Sequence, residues 1–242
     1  MSSEKYEVFT KNNLDIYLKE LAKEYRKLNG KTMKAEVILI GGAAVLANYG
    51  FRDMTSDIDA IIHASSSMKD AINRVGDRYN LPNGWFNADF VHTASYTDKI
   101  NQYSIYYRTF SNVLEVRTVS AEYLIAMKLR SGRQYKNDLS DVVGVLNEHA
   151  KAGNPISIEK IKQAFINLYG DWKLMPDNSK EFLKAVFADG EYDRIYNSTR
   201  DNEKTSRASL IQFEQDYPGV TTMDNVNDIL KELEKRRKET EQ

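Results

Sequence analysis

Between Glu36 and His63 apolar and polar positions alternate in blocks: EVILIGGAAVLANYGFRDMTSDIDAIIH. The apolar run over 37–40 predicts a strand, the pair Gly41 and Gly42 a turn, and residues 43–49 a short apolar helix-like segment. After a loop carrying Arg52 and Thr55, residues 57–62 predict a second strand. Successive side chains of a strand point to opposite faces, so Asp57 and Asp59 share one face while Ile58 and Ala60 turn toward the core.

Upstream, Leu14, Tyr17, Leu18, Leu21 and Tyr25 recur at helical spacing over 13–29, and Gly30 ends the pattern. A helix over 68–79 turns Ala71, Ile72 and Val75 inward, with the serine run 65–67 as its cap. Residues 81–99 are irregular. Residues 102–108 and 113–118 read as a strand pair, Ser120 caps a helix over 121–129, and a polar loop leads to a helix over 138–149. In that last helix Leu139, Val142, Val143 and Leu146 make an apolar stripe. Beyond Gly153 the pattern is helical, clearest over 158–169 and over 178–187, the latter opened by Asn178 and Glu181 as a capping pair. The expected fold class is α+β, with a mixed domain in 1–150 and a helical C-terminal domain in 151–242.

Composition narrows the setting. A chain of 242 residues with 41% hydrophobic and 29% charged residues can bury a substantial core. No apolar run approaches the roughly 20 residues of a membrane-spanning helix. The opening MSSEKYEVFTKNN has no apolar signal core, so the expectation is a cytoplasmic protein without a membrane partner. The absence of cysteine excludes disulfides, thiolate zinc sites and cysteine nucleophiles. A net charge of -1 argues against a broadly basic nucleic-acid surface, and His63, His92 and His149 lack metal-ligand spacing.

Two carboxylates on one side of a strand, facing a glycine turn at a helix N-terminus, suit a divalent metal and a polyphosphate. Magnesium prefers oxygen ligands and needs only one or two carboxylates besides substrate phosphates. Glycines let backbone approach a phosphate, and the following helix offers free N–H groups and the positive end of its dipole. Asp57 and Asp59 are thus the candidate metal ligands, and Gly41, Gly42 and the adjoining Ser56 the candidate nucleotide contacts. Ser56 and Thr55 shape the loop rather than react, since no base stands near them in sequence.

The glycine pair and Asp57-Ile58-Asp59, each beside an apolar strand and separated by 14 residues (43–56), resemble the nucleotidyltransferase superfamily with the polymerase-beta-like core. The lead-in Arg52-Asp53-Met54-Thr55-Ser56 is similar to the segment preceding the aspartates in bacterial abortive-infection and toxin-type branches. The resemblance implies a mixed sheet with flanking helices, magnesium or manganese as cofactor, and a nucleoside triphosphate as substrate. It also implies a third carboxylate from a neighbouring strand, best matched by Glu115 and less well by Asp89. A helix lysine and downstream aspartates follow, matched by Lys128, Asp138 and Asp141: the lysine would neutralise triphosphate charge and an aspartate would orient it or help deprotonate the acceptor. Surface or structural roles stay open for each, including an ion pair of Glu115 with Arg117 or Arg108.

Within that resemblance the acceptor is a tRNA end, a protein hydroxyl or a small molecule, with the toxin-like features favouring RNA and an antitoxin protein as partner. The alternative is a catalytically inactive nucleotidyltransferase-fold module that binds or regulates. A phosphatase of the haloacid-dehalogenase type also uses Asp-x-Asp, but there the aspartates follow an apolar strand, whereas here they begin one. Tyr103, Tyr106 and Tyr107 invite base stacking, yet half-buried strands favour tyrosine for packing alone.

Overall fold

Val37, Ile38 and Leu39 are all fully buried, which on a strand means that both faces are covered. They lie in the centre of a five-stranded sheet in the computed structural model, which describes residues 8–222 and 225–240, without the side chains of 238 and 240. The first seven residues, part of the stretch behind the leader reading, lie outside the described residues. The chain divides into two compact units, Met1–Met127 with Glu159–Trp172 and Lys128–Ile158 with Lys173–Gln242.

The first unit carries α1 (Lys11–Asn29), β1 (Ala35–Leu39), α2 (Gly41–Asn48), β2 (Ile58–His63), α3 (Ser67–Tyr79), β3 (Phe86–Asn87), β4 (Ser104–Phe110) and β5 (Leu114–Val119). Helix α4 (Ala121–Ser131) leads out of it toward α5 (Asp138–Lys151), and α6 (Ile158–Tyr169) belongs to it again. The strand order is β3-β2-β1-β5-β4. Strand β1 runs antiparallel to β2 and parallel to β5, with Leu39 opposite both Ala60 and Thr118, and Glu36 opposite both His63 and Glu115. The sheet is therefore mixed and its flanking helices make the fold α+β, as the apolar pattern predicts.

Local chemistry sets the ends of the elements. Helix α1 begins two residues before the expected start because Asn13 reaches back to accept the Thr10 N–H at 2.7 Å. It stops where Gly30 takes a positive φ of 77°. The serine run caps α3 differently from expectation: Ser66 occupies the N-cap without a side-chain bond, while Ser65 and Ser67 both donate to Asn29 Oδ1, at 3.1 and 2.8 Å. Helix α1 also packs on α3 through a buried acid. Glu24 accepts from Arg78 at 2.8 Å and Arg74 at 3.3 Å, and the Arg78 bond, against the penalty of burial, holds its carboxyl at about 2.

The second unit is helical: α5 packs against α8 (Tyr192–Asp216), with α7 (Asp177–Asp189) and α9 (Val226–Thr240) beside α8. Helix α7 starts behind Pro176 at Asp177, and Asn178 accepts from the N–H of Ser179 (2.9 Å) instead of forming the expected pair with Glu181. Among the described residues no helix is long and apolar enough to cross a membrane.

Candidate active site

Strand β1 delivers the chain into the glycine turn in extended conformation at Ile40, whose N–H donates to the carbonyl of Asp59 at 3.0 Å. Gly41 then takes φ +56°, a conformation costly for any residue with a Cβ, and opens α2. A Cβ on Gly41 would stand 3.3 Å from Asp59 Oδ2, so the Asp59 carboxylate lies directly against the turn. Gly42 is glycine for a second reason. A Cβ there would meet Thr55 Oγ1 at 2.6 Å and Arg52 Nη2 at 2.7 Å, so the loop leading to the aspartates rests on it.

That loop is pinned from the far side. Thr55 exchanges two backbone hydrogen bonds with Phe9, at 2.8 and 2.9 Å, and Phe9 is fully buried against Tyr17 and Trp85. Arg52 Nε caps the loop's own carbonyl at Met54 (3.0 Å). Two residues further on, Asp57 and Asp59 are half-buried while Ile58 and Ala60 are fully buried, which is the alternation the sequence predicts. Ser56 is exposed and donates to Asp57 Oδ1 at 3.2 Å.

A neighbour of the pair was not legible in the sequence. The two-residue strand β3 runs parallel to β2, with Asn87 in register with Asp59, so both side chains lie on one face. The Asn87 Oδ1 accepts the Asp89 N–H at 2.9 Å, and Asp89 itself is exposed in the turn that follows. A strand of two residues in a polar stretch has no periodicity to find; the only signal was the aromatic pair Trp85 and Phe86, both buried.

Glu115 is not brought to the aspartates. Its register partner is Glu36, itself opposite His63, four residues along β2 from Asp59 and thus about 13 Å away. There it lines a cavity with Lys34, Glu36, His63 and Thr109 and accepts from Arg117 at 2.9 Å. Among the described residues no group of three or more His, Asp or Glu side chains is arranged to hold a metal ion. Two of the three tyrosines have packed or bonded rings: Tyr103 stacks on Tyr123 at 3.8 Å and Tyr107 donates to Asp15 at 2.8 Å, whereas Tyr106 is exposed.

The second unit holds the other candidates together. Lys128, at the boundary in α4, is only 6% exposed; its ammonium meets Asp138 Oδ1 at 3.2 Å and Asp141 Oδ2 at 2.8 Å. Arg133 also donates to Asp138, at 2.8 Å through Nε. Both aspartates sit in the first turn of α5, where the helix dipole favours them. Burial alone would raise the Asp138 carboxyl, but the charges of Lys128 and Arg133 outweigh it and hold it at about 2. So low a pKa makes Asp138 a weak proton acceptor and a good anchor for two cations.

A mixed sheet with flanking helices, in which a glycine turn abuts the strand that carries Asp59, defines an α+β protein. Residues 17–173 match the family described as a nucleotidyltransferase of unknown function (DUF6036), and the chain belongs to that family. Comparison with curated proteins and with solved structures gave no match.

Proposed function

We propose that the protein is a divalent-metal-dependent nucleotidyltransferase that moves a nucleoside monophosphate from a triphosphate to an acceptor hydroxyl. The observation that carries this reading is the Asp59 carboxylate 3.3 Å from where a Cβ on Gly41 would be, at the start of α2, with Asp57 half-buried two residues before it. Backbone N–H groups of the turn and the helix dipole favour the triphosphate beside two carboxylates that would otherwise repel it. Asp57 and Asp59 offer carboxylate oxygens on half-buried side chains, the donor chemistry that magnesium or manganese takes. Asp57 and Asp59 would hold the metal, which supplies charge neutralisation on the transferring phosphate.

The acceptor oxygen attacks the α-phosphorus, a new P–O bond forms, the bond to the β-phosphate breaks, and pyrophosphate leaves; the hydroxyl proton passes to water. Gly41 and Gly42 allow close approach of the phosphates. We assign Lys128 and Arg133 to triphosphate charge, with Asp138 and Asp141 fixing their direction rather than taking a proton. Among acceptors the toxin-type resemblance favours a tRNA end over a small molecule, and an antitoxin protein as partner.

The test is a transfer assay with each α-labelled nucleoside triphosphate, magnesium, and total tRNA or cell extract, with Asp57→Ala/Asp59→Ala protein as control. Label moving to an acceptor and lost in the control supports the reading and identifies the acceptor class. Triphosphate binding without transfer would favour a regulatory module, and absence of both binding and transfer would sink the metal-site reading.

A further inference from the structure

Helix α8 lies beyond the family-matched segment, yet it reaches into the first turn of α5, which lies inside it. The first N–H groups of a helix have no partner within the helix and need one from outside. At α5 the residue in the N-cap position, Asn137, makes no side-chain cap. Glu203 of α8 does so instead: its Oε1 accepts the N–H of Leu139 at 2.9 Å and of Ser140 at 3.3 Å, and its Oε2 pairs with the Ser140 hydroxyl. One turn along α8, Arg207 donates to Asn137 Oδ1 at 2.8 Å and to the Tyr135 carbonyl at 3.1 Å. At the other end of the same contact Asn147 and Lys151 of α5 donate to Asp193 of α8, at 2.7 and 2.8 Å. The two helices therefore run antiparallel, with residues 203 and 207 clamping the loop and helix turn that carry Arg133, Asp138 and Asp141.

We propose that Glu203 is a positioning residue for the Lys128–Asp138–Asp141 cluster, so that α8 sets the geometry with which Lys128 and Arg133 meet a nucleoside triphosphate. The inference rests on the assignment of those cations to the triphosphate. A carboxyl capping a helix in trans fixes the turn's rotation, and with it the direction in which Asp138 and Asp141 hold the ammonium. Glu203 is 2% exposed; the charged groups about it are Asp141 of α5, with Asp138 in the same helix turn and Lys128 and Arg133 paired to those aspartates, Arg207 one turn along its own helix, and Glu234 and Arg237 of α9 on the wall of the cavity that it lines. Burial pushes its carboxyl up to about 7, against the pull of its donors, and the charge of Asp141 adds to the push. Neutral and ionised caps are then both present near neutral pH, and the cap responds to pH where an ordinary glutamate would not.

The test uses the full chain and compares wild type, Glu203→Ala, Glu203→Gln and Lys128→Met. Binding of ATP, GTP, CTP and UTP is measured with magnesium from pH 6 to 8, alongside amide hydrogen exchange at Leu139 and Ser140. Glutamine keeps an oxygen for both N–H groups, so Glu203→Gln should bind within about twofold of wild type and lose the pH dependence. Glu203→Ala should weaken triphosphate binding roughly five- to tenfold, the scale of a lost cap, with exchange at the two amides accelerated. If the alanine variant does not fold, the glutamine variant together with Ser140→Ala decides by the same two readouts. Unchanged affinity in Glu203→Ala, or a glutamine variant as impaired as alanine, overturns the proposal. Should Lys128→Met weaken binding while Glu203→Ala does not, the α8 proposal fails and the triphosphate assignment stands. Should Lys128→Met leave affinity unchanged, or should wild type bind no triphosphate, the assignment fails and the proposal with it.

Discussion

Asp57, just before strand β2, and Asp59, its second residue beside the glycine turn, are half-buried, whereas Asp138 and Asp141 are 3% and 2% exposed and share the ammonium of Lys128. The two pairs are alike in composition and spaced two and three residues apart, yet their surroundings give them opposite work. A half-buried pair keeps part of its hydration and can exchange it for a cation. A buried pair has lost its water and depends on protein cations to stay charged. Charge in the second case is spent on holding the structure that carries Lys128 and Arg133.

The comparison breaks most visibly at Lys128. Lys128→Met leaves two buried carboxylates without their ammonium and should cost about 3–5 kcal/mol of stability. A denaturant melt checks this, and Asp141→Asn combined with Lys128→Met should recover part of the loss. If the single variant is as stable as wild type, the cluster is not the buried unit described.

At Asp57 and Asp59 the expectation is different: function should fall while stability does not. Asp59→Asn keeps the shape of the side chain and removes its charge, so nucleotidyl transfer should fall about 10²–10³-fold, the scale of losing one electrostatic stabiliser. Thermal stability should stay within roughly 0.5 kcal/mol of wild type, as for a substitution outside the core. Equal losses of stability at Asp59 and at Lys128 would erase the contrast.

The same contrast explains what the sequence could and could not tell. Residues 37–40 and 57–62 were legible because their periodicity is written in consecutive side chains: burial of Ile58 and Ala60 beside half-exposed Asp57 and Asp59 is a local fact. The position of Glu115 was not, because it depends on register. Both Glu115 and Asp59 point to one face, and only the pairing of Glu36 with Glu115 and His63 reveals that they stand at opposite ends of it. Asn87 escaped for a related reason, since β3 is made by its neighbour β2 and not by its own two residues. Glu203 lies 63 positions from the Ser140 it caps, and no spacing rule connects them. Lys128, Asp138 and Asp141, in contrast, come together through adjacent helices, and there sequence order and spatial order agree.

Gly41 and Gly42 sharpen the comparison by separating the shape of the glycine turn from its chemistry. Gly42→Ala forces Thr55 or Arg52 to move, since its Cβ would lie 2.6 and 2.7 Å from them, and should cost about 1–3 kcal/mol as overpacking. Gly41→Ala meets Asp59 Oδ2 at a tolerable 3.3 Å but must adopt φ +56°, for roughly 1–2 kcal/mol. Melting curves should rank Gly42→Ala as the less stable, and transfer assays should rank Gly41→Ala as losing more activity for each degree of melting temperature lost, because its methyl adjoins the Asp59 carboxylate. A constant ratio of activity to stability across the two would mean that the turn matters only as scaffold.

Glu24 gives the intermediate case and the smallest effect. Its side chain is 4% exposed, like Asp138, but its partners Arg74 and Arg78 are 55% and 40% exposed, so solvent shares in stabilising the pair. Glu24→Gln should therefore cost only about 1 kcal/mol near neutral pH, the net value of an ordinary hydrogen bond. The pH dependence has a definite direction. The folded carboxyl is depressed to about 2 from an ordinary 4.5, so its contribution is fully present above 4.5 and lost as the pH falls toward 2. Urea melts of wild type and Glu24→Gln should differ at pH 6 and converge near pH 2, while Lys128→Met should remain the less stable of the two variants at pH 6. Curves that stay parallel from pH 6 to 2 would show that Glu24 acts by packing and that its ion pair with α3 carries no net stability.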